Sequence, residues 1–191
     1  MTRRRVHDRQ LLDALEALPP FDLTARTWRV TRSGRDPLRG SISNGRWNLA
    51  GELEVLYTAM EHDGALAEIG YRLRLEPIWP SKIEHQIHEL RLSLSRVVDL
   101  TSFPLLSQLG VDTAAFESHR YAECQAIAAA ANFLELDGVL VPNARHPSNN
   151  LVAFFGSGAV LDGAEVLTSD EVEWNSWRAR NRDLPSRSRS S

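Results

Sequence analysis

Two runs of apolar residues, Gly138-Val139-Leu140-Val141-Pro142 and Leu151-Val152-Ala153-Phe154-Phe155, constrain this chain more than any other feature. Neither run alternates apolar with polar side chains, and each is too short to be read as a helix. Each reads as a buried strand. The polar residues 143–150 that join them form a loop rich in Asn and Pro, held on a rigid apolar frame, which is where functional groups commonly sit.

Further elements follow from periodicity. Leu11, Leu12, Leu15 and Leu18 recur at helical spacing until Pro19-Pro20 stop them. Trp28-Arg29-Val30-Thr31 reads as a short strand, residues 33–44 as a polar loop and residues 55–59 as a second strand. Residues 64–75 form a helix with Asp63 as a plausible N-cap. Leu90, Leu92 and Leu94 alternate with polar residues as a half-exposed strand, and residues 96–100 form another. Residues 119–134 carry Tyr121, Cys124, Ala128 and Ala131 on one helix face. Short strands with several helices make a single α+β domain. Its expected parts are a helical appendage over residues 1–25, a core over 26–177 and a disordered Arg/Ser tail over 178–191.

With 191 residues the chain can bury one sizeable core. A net charge of -3 gives no global attraction to nucleic acid or to an anionic membrane. The only cysteine, Cys124, permits no internal disulfide. No apolar run approaches the ~20 residues of a membrane span, and the charged start lacks a secretory apolar region. The expected location is therefore cytoplasmic. His85 and His88 have a metal-like spacing, but no further ligand completes a set, so no metal is expected.

Three clusters carry chemistry. In Gly45-Arg46-Trp47-Asn48 a glycine allows close backbone approach and the arginine offers a fork of donors for phosphate. The alternative is a surface turn with one solvated arginine and a half-buried tryptophan. Tyr57 on a strand and Glu68 on a helix could frame a pocket. The alternative there is a core aromatic and an exposed glutamate paired with Arg72 at i,i+4. The third cluster is the loop from Asn143 to Asn150, whose alternative is an ordinary turn.

The order of these pieces resembles a RES domain. Trp28-Arg29-Val30, Gly45-Arg46-Trp47-Asn48, Val55-Leu56-Tyr57-Thr58-Ala59 and Ala65-Leu66-Ala67-Glu68 are similar to its front half. Tyr121-x-x-x-Gln125, Asp137-Gly138-Val139-Leu140-Val141-Pro142-x-Ala144-Arg145 and Asn150-Leu151-Val152-x-Phe154 are similar to its back half. The family is named for an arginine, a glutamate and a serine. By position these are Arg29 or Arg46, then Glu68, then Asn143, where this chain departs from serine. The resemblance implies an ADP-ribosyltransferase-like mixed sheet with flanking helices. It implies a toxin that degrades NAD at the nicotinamide–ribose bond, by phosphorolysis or hydrolysis. ADP-ribose transfer to a protein, or loss of activity with Asn143, stays open as an alternative. In that reading Glu68, Arg46 and Asn143 are catalytic, while Arg29, Tyr57 and Trp47 bind substrate. NAD is a substrate, phosphate a co-substrate, and no cofactor is needed. The implied partner is an antitoxin carrying an Xre-like helix-turn-helix, and a homo-oligomer is allowed.

Overall fold

A computed structural model describes residues 7–80 and 82–181. Helix α1 (Arg9–Glu16) is capped by Asp8, whose carboxylate accepts from the Leu11 amide at 3.1 Å. Strand β1 (Phe21–Arg32) and strand β2 (Val55–Ala59) follow, joined by a long loop. Helix α2 (His62–Leu75), strand β3 (His85–Asp99), helix α3 (Phe103–Gln108) and helix α4 (Ala122–Phe133) come next. The two apolar runs are β4 (Gly138–Pro142) and β5 (Asn149–Phe154). Helix α5 (Ala159–Gly163), strand β6 (Ala164–Glu171) and helix α6 (Trp174–Arg180) complete the described chain.

The strands form one mixed sheet in the order β1-β2-β5-β4-β3-β6, and β1 also pairs with β3. That extra pairing closes β1, β2, β5, β4 and β3 into a ring, with β6 hydrogen-bonded outside it on β3. All pairings are antiparallel except β3 with β4. Both faces of β4 and β5 are covered, which is why their sequences are continuously apolar. One face contributes Leu56, Leu151, Ala153, Leu92 and Leu94 to a cluster with Val160 of α5. On the other face Val139, Val141 and Val152 pack under α4 and α1. A third cluster lies beneath α2, where Val30, Ala59, Leu66 and Ile87 meet Trp174 and Trp177 of α6.

The Asp137-Gly138 pair is set by this architecture. The Asp137 carboxylate accepts from the amides of Ser95 and Arg96 at 3.0 and 3.1 Å, where β3 changes partners. A Cβ on Gly138 would fall 2.8 Å from the Val152 carbonyl oxygen of β5, so only glycine fits there.

Several expectations change. The short strand at Trp28 is part of a twelve-residue strand that begins at Phe21, so residues 21–25 belong to the sheet and not to a helical appendage. The two short strands expected between residues 90 and 100 are one strand of fifteen residues, held continuous by β1 on one side and by β6 and then β4 on the other. Asp63 is not the N-cap of α2. The cap is Glu61, without a side-chain bond, and Asp63 lies in the first turn. The Arg/Ser tail was expected from residue 178, but Arg178 to Arg180 are helical, while residues 182–191 lie outside the described residues. No helix among the described residues is long and apolar enough to cross a membrane.

Packing of α6 on α2 makes a stability prediction. A Cβ on Gly70 would fall 2.2 Å from the ring of Trp177, which is 3% exposed. Gly70→Ala should gain up to ~1 kcal/mol of helix propensity and lose about 1–3 kcal/mol to overpacking, so the net effect is destabilising. Chemical denaturation checks it: the midpoint should fall, whereas a rise would mean that Trp177 moves aside freely.

Candidate active site

The turn at residues 45–48 is built almost wholly by buried hydrogen bonds. Asn48 is fully buried. Its amide donates to the carbonyls of Ser41, Ser43 and Leu53, at 3.3, 2.7 and 3.3 Å, and its Oδ1 accepts from the Tyr57 hydroxyl at 2.8 Å. The same hydroxyl accepts from the Trp47 amide at 2.9 Å. Gln125 of α4 donates to Asn44 Oδ1 and to the Gly45 carbonyl at 2.9 and 2.8 Å. A Cβ on Gly45 would sit 2.6 Å from both Asn48 Oδ1 and the Tyr57 hydroxyl. Glycine is therefore required by crowding and asparagine by hydrogen bonding.

The Trp47 ring, expected to bind substrate, is turned into the core. That ring is 2% exposed and lies in the core beneath α4, and only its backbone amide serves the turn. Of the four residues in the turn, Arg46 is the one whose side chain reaches outward. Its guanidinium lies 4.6 Å from the Phe116 ring and 4.7 Å from the Tyr121 ring, and it donates to the Ser118 carbonyl at 3.2 Å. Stacking between two aromatics fixes the plane of the fork.

Tyr57 stands beneath this arginine. Burial pushes its phenol well above the ordinary value, and the charges of Arg72 and Arg46 oppose that only in part. It is therefore a neutral hydrogen-bonding group. Helix α2 carries Gly64, Glu68 and Arg72 at i, i+4 and i+8, on one face. The Gly64 end is packed against Asn143 and Ser148, and the Arg72 end lies within electrostatic reach of Tyr57. Glu68, half-buried, sits between them. The expected pairing of Glu68 with Arg72 is not formed: Glu68 makes no hydrogen bond or ion pair among the described residues.

Asn143 is 7% exposed and both polar atoms of its side chain are engaged. Its amide donates to the Gly64 carbonyl and to Asn150 Oδ1, at 3.2 and 2.9 Å, and its Oδ1 accepts from the Arg145 amide at 2.8 Å. It ties the β4–β5 loop to the start of α2 and aims Arg145. The Arg145 guanidinium lies over the Tyr71 ring of α2, 3.5 Å from its centroid, and donates to the Glu117 carbonyl at 2.7 Å.

Arg29 is not brought to this cluster. Trp28 pairs with Ala59, so their side chains share a face with Tyr57, and Arg29 points to the opposite face. There it donates to the Arg39 carbonyl at 2.9 Å, and burial lowers its pKa to about 10. His85 and His88 are structural: His85 Nδ1 accepts from Trp174 Nε1 at 3.1 Å, and His88 bridges Thr31 and Ser169. Burial pushes both imidazoles below their usual range. No group among the described residues could hold a metal ion. Cys124 is a core thiol whose pKa burial raises to about 11.

Sequence reasoning missed Tyr71, and it missed the way residues 113–121 cross the site. The first was legible as Glu68 plus three on one helix. The second had no local signal, because its partners come from distant loops.

A carboxylate with no hydrogen bond or ion pair among the described residues, a buried phenol and arginines over aromatic rings suit a phosphate-bearing ligand. The comparisons with known proteins agree with this. The RES domain family matches residues 26–175. A probable NAD(+) phosphorylase of Mycobacterium tuberculosis is 34% identical over 154 residues, covering 76% of this chain and 71% of that protein. The NAD(+) phosphorylase MbcT of Mycobacterium bovis is 25% identical over 143 residues, 72% of this chain and 77% of its own length. Among solved structures, a chain of the M. tuberculosis MbcT–MbcA toxin–antitoxin complex superposes with a TM-score of 0.80 at 22% identity, over 90% of this chain and 97% of that one. The motifs at Gly45–Asn48 and Asp137–Arg145, each accounted for by its place in the fold, and a family match over most of the length lead to one conclusion: the chain belongs to the RES-domain family.

Proposed function

We propose that this protein is the toxin of a toxin–antitoxin pair and acts as an NAD phosphorylase. The observation that carries the reading is Glu68: a half-buried carboxylate with no hydrogen bond or ion pair among the described residues, one turn along α2 from Gly64, which packs on Asn143 and Ser148. The names of the similar mycobacterial proteins support the substrate and the reaction type. An ADP-ribosyltransferase-like description of the mixed sheet belongs with this proposal.

The chemistry follows from the charges. Cleavage breaks the bond between ribose C1 and the nicotinamide nitrogen. The bonding pair leaves with the ring, which becomes neutral, and positive charge develops on the ribose. A carboxylate beside the ribose stabilises that charge more in the transition state than in the ground state. Inorganic phosphate then forms the new C1–O bond. Arg46 binds the dinucleotide's pyrophosphate through a planar fork already fixed by two rings. Tyr57, a buried phenol, holds the Gly45 turn and borders the nicotinamide side. Asn143 positions Arg145 and α2 without touching substrate. The partner is an antitoxin protein that covers this cleft.

Nicotinamide release by the purified protein tests the reading. Incubation with NAD in phosphate buffer should release nicotinamide, and removal of phosphate should slow release strongly. Equal rates without phosphate would instead indicate hydrolysis, and no release in either buffer would end the proposal.

A further inference from the structure

Residues 113–121 form a strap laid over Arg46 and Arg145. Two arginines from two different loops hold the carbonyls of consecutive strap residues. Arg145 donates to the Glu117 carbonyl at 2.7 Å and Arg46 to the Ser118 carbonyl at 3.2 Å. The Glu117 carboxylate adds an ion pair to Arg145 at 3.6 Å, with its own side chain 74% exposed and that of Arg145 only 11%. Both guanidiniums rest on aromatic rings, Arg145 on Tyr71 and Arg46 on Phe116 and Tyr121. Shielded by these rings, they are prepared for an anion with several oxygens. In this structure backbone carbonyls and one tethered carboxylate take that place. A pocket of about 300 Å³ is lined by strap residues 113–118 together with Phe103, Asn143 and Ala144.

We infer that Arg145 and Arg46 are the two arms of one phosphate clamp, and that the strap, through Glu117, is its built-in competitor. This rests on the proposed NAD-consuming activity and adds to it a second substrate-binding arginine and a means of restraint. A phosphate group replaces the Glu117 and Ser118 oxygens and frees the strap. That group is the pyrophosphate of NAD, the role already proposed for Arg46, and kinetics test it against free inorganic phosphate.

The KM for NAD and the KM for phosphate are measured separately in Arg145→Lys, Arg145→Ala and Glu117→Gln. Arg145→Ala raises the KM for NAD about 10- to 100-fold, the loss of one charge-assisted contact. A rise for phosphate instead overturns the assignment to pyrophosphate. Lysine keeps the charge but not the fork and restores only part of the loss. Glu117→Gln lowers the same KM about two- to fivefold, the worth of an exposed ion pair. A simple structural clasp predicts the opposite: Glu117→Gln leaves both KM values unchanged or raises them, and Arg145→Ala lowers the melting temperature without a selective effect on either KM. Either result overturns the inference. Should the wild-type protein not turn over NAD, calorimetric titration with pyrophosphate and with inorganic phosphate tests the clamp by itself. Tighter binding of pyrophosphate to Glu117→Gln than to wild type upholds it, and no difference overturns it.

Discussion

Glu68→Gln is expected to lower NAD turnover by about 10²–10³-fold while leaving NAD bound almost as tightly as before. The substitution keeps the side chain's size and hydrogen-bonding capacity and removes only its charge. NAD carries positive charge on the nicotinamide ring in the ground state and passes it to the ribose as the bond breaks. A carboxylate near the ribose therefore acts on the barrier and not on affinity. The competing account, an i,i+4 pair with Arg72, is worth only a few tenths of a kcal/mol of helix stability and predicts no loss of rate. Among the described residues that pair is absent and Glu68 makes no other hydrogen bond or ion pair. Steady-state kcat beside a calorimetric Kd for NAD decides between them. Wild-type turnover in a folded variant would dismiss the catalytic role.

Arg46→Ala is the second large effect. It should weaken NAD binding by about 10- to 100-fold, corresponding to ~1.5–3 kcal/mol for one charge-assisted contact. The fold should survive, because Asn48 and Gln125 build the turn without it. Arg46→Lys should recover little, since an ammonium cannot lie between Phe116 and Tyr121 as a planar fork does. A titration that finds unchanged affinity in the folded alanine variant would remove Arg46 from the site.

What the sequence made legible follows physical lines. The apolar runs of β4 and β5 declared themselves because burial on both faces leaves no polar position in the pattern. Glu68 stood out as a helix carboxylate facing a strand tyrosine, whereas Gly45, expected to let backbone approach a ligand, is instead crowded by Asn48 and Tyr57 within its own turn. The ring closure was not legible. It depends on β1 and β3 pairing along most of their lengths, and no local period reports a partner some sixty residues away. β6 escaped because its outer edge is polar and most of its residues are exposed. Arg29 and Trp47 were misplaced for a shared reason. Sequence order shows that a residue lies near a motif, while strand register decides which face it takes. One step along β1 turned Arg29 away from Tyr57, and Trp47 turned inward beneath α4.

The most direct test of the central claim is phosphorus NMR of the purified protein mixed with NAD and inorganic phosphate. The account predicts a new phosphate monoester signal on the ribose anomeric carbon, growing in equal amount with released nicotinamide and nearly absent with Glu68→Gln. Unchanged NAD, or nicotinamide released with no new phosphate ester, would contradict it.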